Sequence, residues 1–301
     1  MAGVGKVIPG FRLTLGYTLF YLSLLVLIPL AGLVLKTAQL SWAQFVATIT
    51  DPVVVAAYRL TLGASVLAAV INGVFGLIVA WVLVREPFPG RRLFDALIDF
   101  PFALPTAVAG ITFSNLYLTD GWIGGFGDHA TAFLNGLAGR FGHPNPLPDG
   151  ALAWLNFPFS NTNTGIVIVL IFVGLPFVVR SVQPVLQEWD PEYEQAAYSL
   201  GANGLLTFRR VIFPEIFPAW LSGVALAFAR AIGEYGSVIF IASNIPGKSQ
   251  IVPLQIVIKL DEFEPAQATA IGVVLLLFSL LTLLGINGIE HWSRRRSQAA
   301  V

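Results

Sequence analysis

The chain has 301 residues, of which 56% are hydrophobic and 11% charged, and its formal net charge at pH 7 is zero. Soluble domains carry about 25% charged residues, so less than half the usual solvating charge is present, and the balanced total leaves no footprint for nucleic acid. Cysteine is absent, which excludes disulfides and thiolate metal sites, and His129, His143 and His291 lie far apart outside the apolar runs, so neither a metal nor a cofactor is expected.

A bilayer crossing needs about 20 consecutive apolar residues. The first such run, residues 15–35, has no charge; it is too long for the apolar core of a secretory signal and lacks a small-residue exit, so it reads as an anchor. Residues 60–84 form a second run, and "REPFPGRR" at 85–92 is a tight turn with two prolines. Residues 100–119 form a third; Pro101 and Pro105 here, and Pro176 further on, read as ordinary kinks in preference to broken segments lining a cavity, and Asp99 as an interfacial residue without a role. Residues 120–161 make a long loop rich in Gly, Pro, Asn and Trp, whose middle, "HATAFLNGLAG", suits a short surface helix. Runs at 162–179, 220–244 and 266–289 follow, the second of them interrupted by Arg230 and Glu234. The expected fold class is therefore all-α, a polytopic membrane protein with about six transmembrane helices.

Positive charge sets the expected orientation. With the N-terminus inside, Lys6, Arg12, Arg85, Arg91, Arg92, Arg180, Arg209, Arg210 and Arg294, Arg295 and Arg296 are cytoplasmic. Only Lys36, Arg59, Arg140, Lys248 and Lys259 are left outside, so both termini are placed in the cytoplasm. Residues 1–14 and 291–301 are then cytoplasmic ends, 15–57 the first helix with an outside loop, and 58–290 the domain that holds the remaining runs.

That orientation disposes of a suggestive stretch. "ASNIPGKS", Ala242 to Ser249, lacks only the first glycine of the phosphate-loop pattern G-x-x-x-x-G-K-S/T. It follows a membrane helix rather than a buried strand, it falls on the extracytoplasmic side, where no ATP is available, and Pro253 is expected to interrupt any following helix. The chain is not expected to bind ATP.

The cytoplasmic loop 187–214 is far longer than a connection requires. Asp190 suits an N-cap, Pro191 the first helical position, and Glu192 and Glu194 the positive end of the helix dipole. Gly201 suits a left-handed stop, and a second short helix is expected from about Asn203 to Phe213, ended by Pro214. An acidic first helix fits a protein partner better than anionic lipid. Gln195-Ala196-Ala197-(x3)-Gly201-(x9)-Val211-Ile212-Phe213-Pro214 resembles the EAA loop, E-A-A-x3-G-x9-I-x-L-P, of ABC importer permeases. Gln195 stands for the usual glutamate, and neighbouring Glu194 is the candidate replacement.

The resemblance runs from about residue 100 to 292. "LPTAVAGIT", "FVGLPFVVRSVQPVL", "SGVALAFARAIGEYGSVIFIASNIP" and "IVIKLDEFEPAQATAI" are similar to the T-type permeases of sulfate/thiosulfate importers, and molybdate permeases share a looser version of the first and third. The resemblance implies a type I ABC importer permease fold and an ATPase-coupling loop formed by Glu194, Gln195, Ala196, Ala197, Gly201 and Pro214. It further implies, as partners, a W-type second permease, two ATPase subunits and an extracytoplasmic sulfate-binding protein. No catalytic residue is expected in the chain itself, since no nucleophile–base set appears in the runs. An ion-coupled carrier is the rival, but no inverted repeat is visible and a carrier has no use for the loop.

Arg230 and Glu234 would each cost at least about 2.5 kcal/mol facing lipid, so they should face the bundle or water. Their i,i+4 spacing allows an ion pair. Two readings stay open: a structural pair between helices, and a translocation path or gate.

Overall fold

The computed structural model describes residues 11–140 and 147–299, and among these every regular element is helical. Helix α1 (Phe11–Leu22) passes through a π-helical turn into α2 (Ile28–Thr37), making the first long crossing. Helix α3 (Trp42–Ile49) opens with a reciprocal cap between Ser41 and Gln44. Asp51 then accepts hydrogen bonds from the Val53 and Val54 N–H groups and starts α4 (Pro52–Arg85). There follow α5 (Arg91–Ile98), α6 (Phe100–Ala103), α7 (Thr106–Leu116), α8 (Phe126–Arg140) and α9 (Asn163–Gln187). The remainder comprises α10 (Glu192–Ser199), α11 (Gly204–Thr207), α12 (Phe213–Ile232), α13 (Val238–Ile241), α14 (Val252–Asp261) and α15 (Pro265–Ala299).

The core is the packing of α4 against α9 and α12. Lipid is as apolar as leucine, so association inside a bilayer depends on close packing of small residues. Helix α4 supplies Ala64, Ser65, Ala68, Ala69, Gly73, Gly76 and Ala80, all buried. At Gly76 an added Cβ would lie 2.8 Å from Val178, and at Gly223 one would lie 2.8 Å from the Val178 backbone, so α9 is clamped between two glycines. Polar groups are used sparingly there. The Trp220 indole N–H donates to the Gly73 carbonyl at 2.8 Å, and the Tyr58 hydroxyl donates to the Ile271 carbonyl at 2.9 Å.

Among the described residues five helices are long and apolar enough to cross a membrane: Leu13–Thr37, Pro52–Arg85, Asn163–Gln187, Gly204–Ile232 and Pro265–Ile286. Three expectations about single runs and residues need correction. The third expected run is broken rather than kinked: Leu104, next before a proline, takes extended geometry (φ −84°, ψ 132°), so α6 and α7 are separate. Pro176 does lie within a continuous helix. The run expected at 220–244 also breaks: α12 stops at Gly233, and α13 starts only at Val238. Last, Pro214 ends nothing. It occupies the first turn of α12, directly after a π-helical turn at Phe208–Ile212. There the Phe213 N–H donates to the Phe208 carbonyl, and the wider turn accommodates a ring that would otherwise meet the carbonyl four residues back.

Candidate coupling and translocation sites

The elbow formed by α10 and α11 follows from its sequence almost bond by bond. The Asp190 carboxylate accepts from the Glu192 N–H at 2.9 Å, and Pro191 already has helical geometry. At the other end Gly201 has φ +85°. Its N–H donates to the Tyr198 carbonyl, and the Ala202 N–H donates to the Ala197 carbonyl, the paired bonds of a glycine-terminated helix. Asn203 then caps α11 through the Leu206 N–H at 2.9 Å. The elbow presents Leu200 and Leu205 at 88% and 77% exposure, with Tyr193 and Tyr198 also exposed. Single exposed leucines are ordinary, but here two leucines and two tyrosines are exposed together on one capped turn.

Two contacts anchor the elbow to its own chain. The Glu194 carboxylate is 2.7 Å from the Arg85 guanidinium at the end of α4, and that guanidinium also lies over the Trp81 ring at 5.3 Å. Trp81 meets Phe208 edge to face at 5.5 Å. Glu194 is thus engaged within the chain, while Gln195 and Ala196 face outward, Ala197 is half-buried, and Pro214 is exposed at the foot of α12.

At the break in the fifth run, Arg230 and Glu234 meet at 2.6 Å. Glu234 is 2% exposed and is fully engaged: one oxygen takes the Arg230 ion pair, the other accepts from the Ser237 N–H at 2.9 Å and the Ser237 hydroxyl at 2.7 Å. It therefore binds the last turn of α12 to the start of α13. The Arg230 side chain keeps 34% exposure, so the cation is within reach of solvent or solute while its carboxylate is not. Helix α7 packs directly on the break. A Cβ at Gly110 would lie 2.7 Å from the Ser237 Cα, and one at Gly236 would collide with the Thr106 side chain. The two interrupted runs therefore meet where both are interrupted.

Sequence reasoning missed the cluster around Arg180. Its guanidinium donates to both Asp99 carboxylate oxygens at 2.8 and 2.7 Å, to Asp95 Oδ1 at 2.7 Å and to Gln183, fixing α5 to α9. Burial pushes the Asp95 carboxyl up, but hydrogen bonds from Arg180 and Gln183 outweigh it and hold the group below the ordinary carboxylate range. Asp99, given no role above, is half of this cluster. Two aspartates at i,i+4 spacing beside an apolar run were the available signal for a basic partner.

The phosphate-loop look-alike is a self-contained turn between helices, with no strand before it. The Ser249 hydroxyl accepts from the Ile245 N–H at 2.8 Å and bonds Ser243, so it has no freedom for a magnesium ion, and Lys248 is exposed on the tip. Opposite the elbow end, the expected surface helix is present within α8, held by Asn156 against the Gly127 N–H and Asp128.

A family model described as "Binding-protein-dependent transport system inner membrane component" matches residues 72–296. The sulfate transport system permease protein CysT of Salmonella typhimurium is 46% identical over 97% of this chain and 96% of its own length. The protein of the same name from Synechocystis is 42% identical over 92% of this chain and 88% of its own. Among solved structures, a chain of a bacterial alginate ABC transporter, in complex with its alginate pentasaccharide-bound periplasmic protein, superposes with a TM-score of 0.69. That alignment covers 95% of this chain and 94% of the other at 17% identity, a likeness of fold. The chain is a multi-pass protein of the cytoplasmic membrane and belongs to the family of inner membrane components of binding-protein-dependent transport systems.

Proposed function

We propose that the chain is the T-type permease of an ATP-driven importer that carries sulfate or thiosulfate into the cytoplasm. The observation that carries this is near full-length likeness to sulfate permeases, combined with a capped apolar elbow that a lone permease has no use for. The elbow docks on a separate ATPase through Gln195, Ala196 and Ala197 and the leucines around Gly201. Both termini and the elbow are cytoplasmic, in keeping with the distribution of positive charge. A second, W-type permease completes the pore, two ATPase subunits drive it, and an extracytoplasmic sulfate-binding protein delivers the anion.

In this reading ATP binding moves the elbow, and α4 and α9, to which it is tethered, carry the movement toward the broken runs. Arg230 is the gate residue: its planar donors match an oxyanion, and Glu234 holds them until the anion or the opening motion competes. The test is uptake of labelled sulfate by all components reconstituted together. Uptake should require ATP and be inhibited by thiosulfate but not by equimolar molybdate. Equal inhibition by molybdate assigns the chain to the molybdate/tungstate alternative, and uptake without the ATPase subunits assigns it to secondary carriers.

A further inference from the structure

We propose that the groove between α4, α5 and α9 binds one anionic phospholipid of the leaflet on the elbow side, an acyl chain lying in the groove and its phosphate held by Arg91 and Arg92. The groove has a volume of about 480 Å³, and every side chain lining it is apolar, including Ile78, Val82, Phe88, Phe94, Leu97 and Leu175. It is open on one side, since Ile78, Phe94 and Leu97 are each about half exposed. Leu175 lies about 18 Å from the elbow end of α9 at 1.5 Å per residue. That distance is roughly one leaflet of hydrocarbon plus the start of the headgroup layer. The groove therefore runs from mid-membrane to the interface, the extent of an acyl chain.

Charge at one end selects the headgroup. Arg91 stands one helical turn before Phe94, at the interfacial end of the same helix, and Arg92 beside it is exposed. The carboxylates of α5 and its cap, Asp95 and Asp99, are turned to Arg180 on α9. Basic side chains beside an apolar slot between membrane helices suit acidic headgroups. A helix from another subunit, about 10–12 Å across, could only lie over the open side of the groove, where a cross-link to Leu97 would reveal it.

The assembled importer, in nanodiscs of phosphatidylcholine with a trace of photoreactive phosphatidylglycerol or its phosphatidylcholine analogue, provides the test. The phosphatidylglycerol probe should label the segment 78–101 at least about five-fold more than the neutral probe. That preference should vanish in R91Q/R92Q and persist in R91K/R92K, while Ile78→Trp, which fills the groove, should lose labelling by both probes. Size-exclusion profiles and ATPase activity of each variant establish that assembly is intact. Preference unchanged in R91Q/R92Q overturns the proposal. So does a disulfide between Leu97→Cys and a cysteine on the second permease, because a protein would then cover the groove; this chain brings no cysteine of its own to confuse the result.

Discussion

At Gly201 a single backbone angle decides whether the elbow keeps its shape. An added side chain would meet nothing within 4 Å, so a substitution here meets no steric obstacle and acts only through φ +85°. Valine in that conformation costs about 1–2 kcal/mol, whereas asparagine tolerates it. Gly201→Val should therefore remove most ATP-driven uptake with the subunit still in the membrane, and Gly201→Asn should keep it; equal loss in both would mean that the left-handed angle is irrelevant. The neighbouring ion pair makes a separate prediction. Because Glu194 contacts Arg85 in its own chain, Glu194→Ala and Arg85→Ala should each lower the coupling of hydrolysis to uptake, and the double variant should be no worse than the singles. A coupling energy of about 1–3 kcal/mol is expected for a pair whose side chains are only 22% and 19% exposed. Strict additivity of the two losses would place Glu194 on the ATPase instead.

Among the helices, the ends were more legible than the interruptions. Asp190, Gly201 and Asn203 act locally, through bonds to residues two to five positions away, and sequence displays such bonds directly. The break after α12 is local only in part. Gly233 and Gly236 allow it and Glu234 bonds Ser237 three positions on, but α7 packed against the gap is a long-range contact that sequence does not display. Glu234→Ala would leave the buried Ser237 N–H and hydroxyl without their acceptor and the partly exposed Arg230 without its counter-charge, and should destabilise the assembled subunit by about 1–3 kcal/mol. Glu234→Gln keeps an acceptor for Ser237 and loses only the charge, so it should assemble normally. If Arg230 is a gate, that variant binds sulfate without releasing it; if the pair is structural, its uptake stays normal. The clamp between α5 and α9 is likewise long-range. Because the Asp95 carboxyl is held below its usual range, the contact is complete above the unfolded carboxylate value and is lost only as pH falls through the lower, folded one. Amide exchange in α5 should thus stay slow from neutral pH down to about pH 4 and accelerate below it, and Arg180→Gln should remove that dependence.

Across the whole molecule, hydropathy finds the long crossings because the bilayer imposes their length, yet it draws two runs as continuous where proline and glycine divide them, one into α6 and α7 and the other into α12 and α13. Charge counting likewise says which ends share a side, without reference to any contact. This global layout carries the case against ATP at "ASNIPGKS". Helix α12 leaves the elbow, α13 continues the path, and the turn bearing Lys248 follows at the far end, about 30 Å from the start of α12 by helix rise alone. If the elbow is cytoplasmic, Lys248 faces the opposite compartment. Because the chain has no cysteine, single replacements report topology without background. In intact cells stripped of their outer membrane, a membrane-impermeant maleimide should label Lys248→Cys and leave Leu200→Cys untouched, with the pattern reversed in inside-out vesicles. Lys248→Ala should meanwhile leave the ATP affinity of the assembled importer unchanged. Labelling of both positions from the same side, or attachment of a nucleotide photolabel at Lys248, would overturn the orientation and restore the nucleotide reading of that turn.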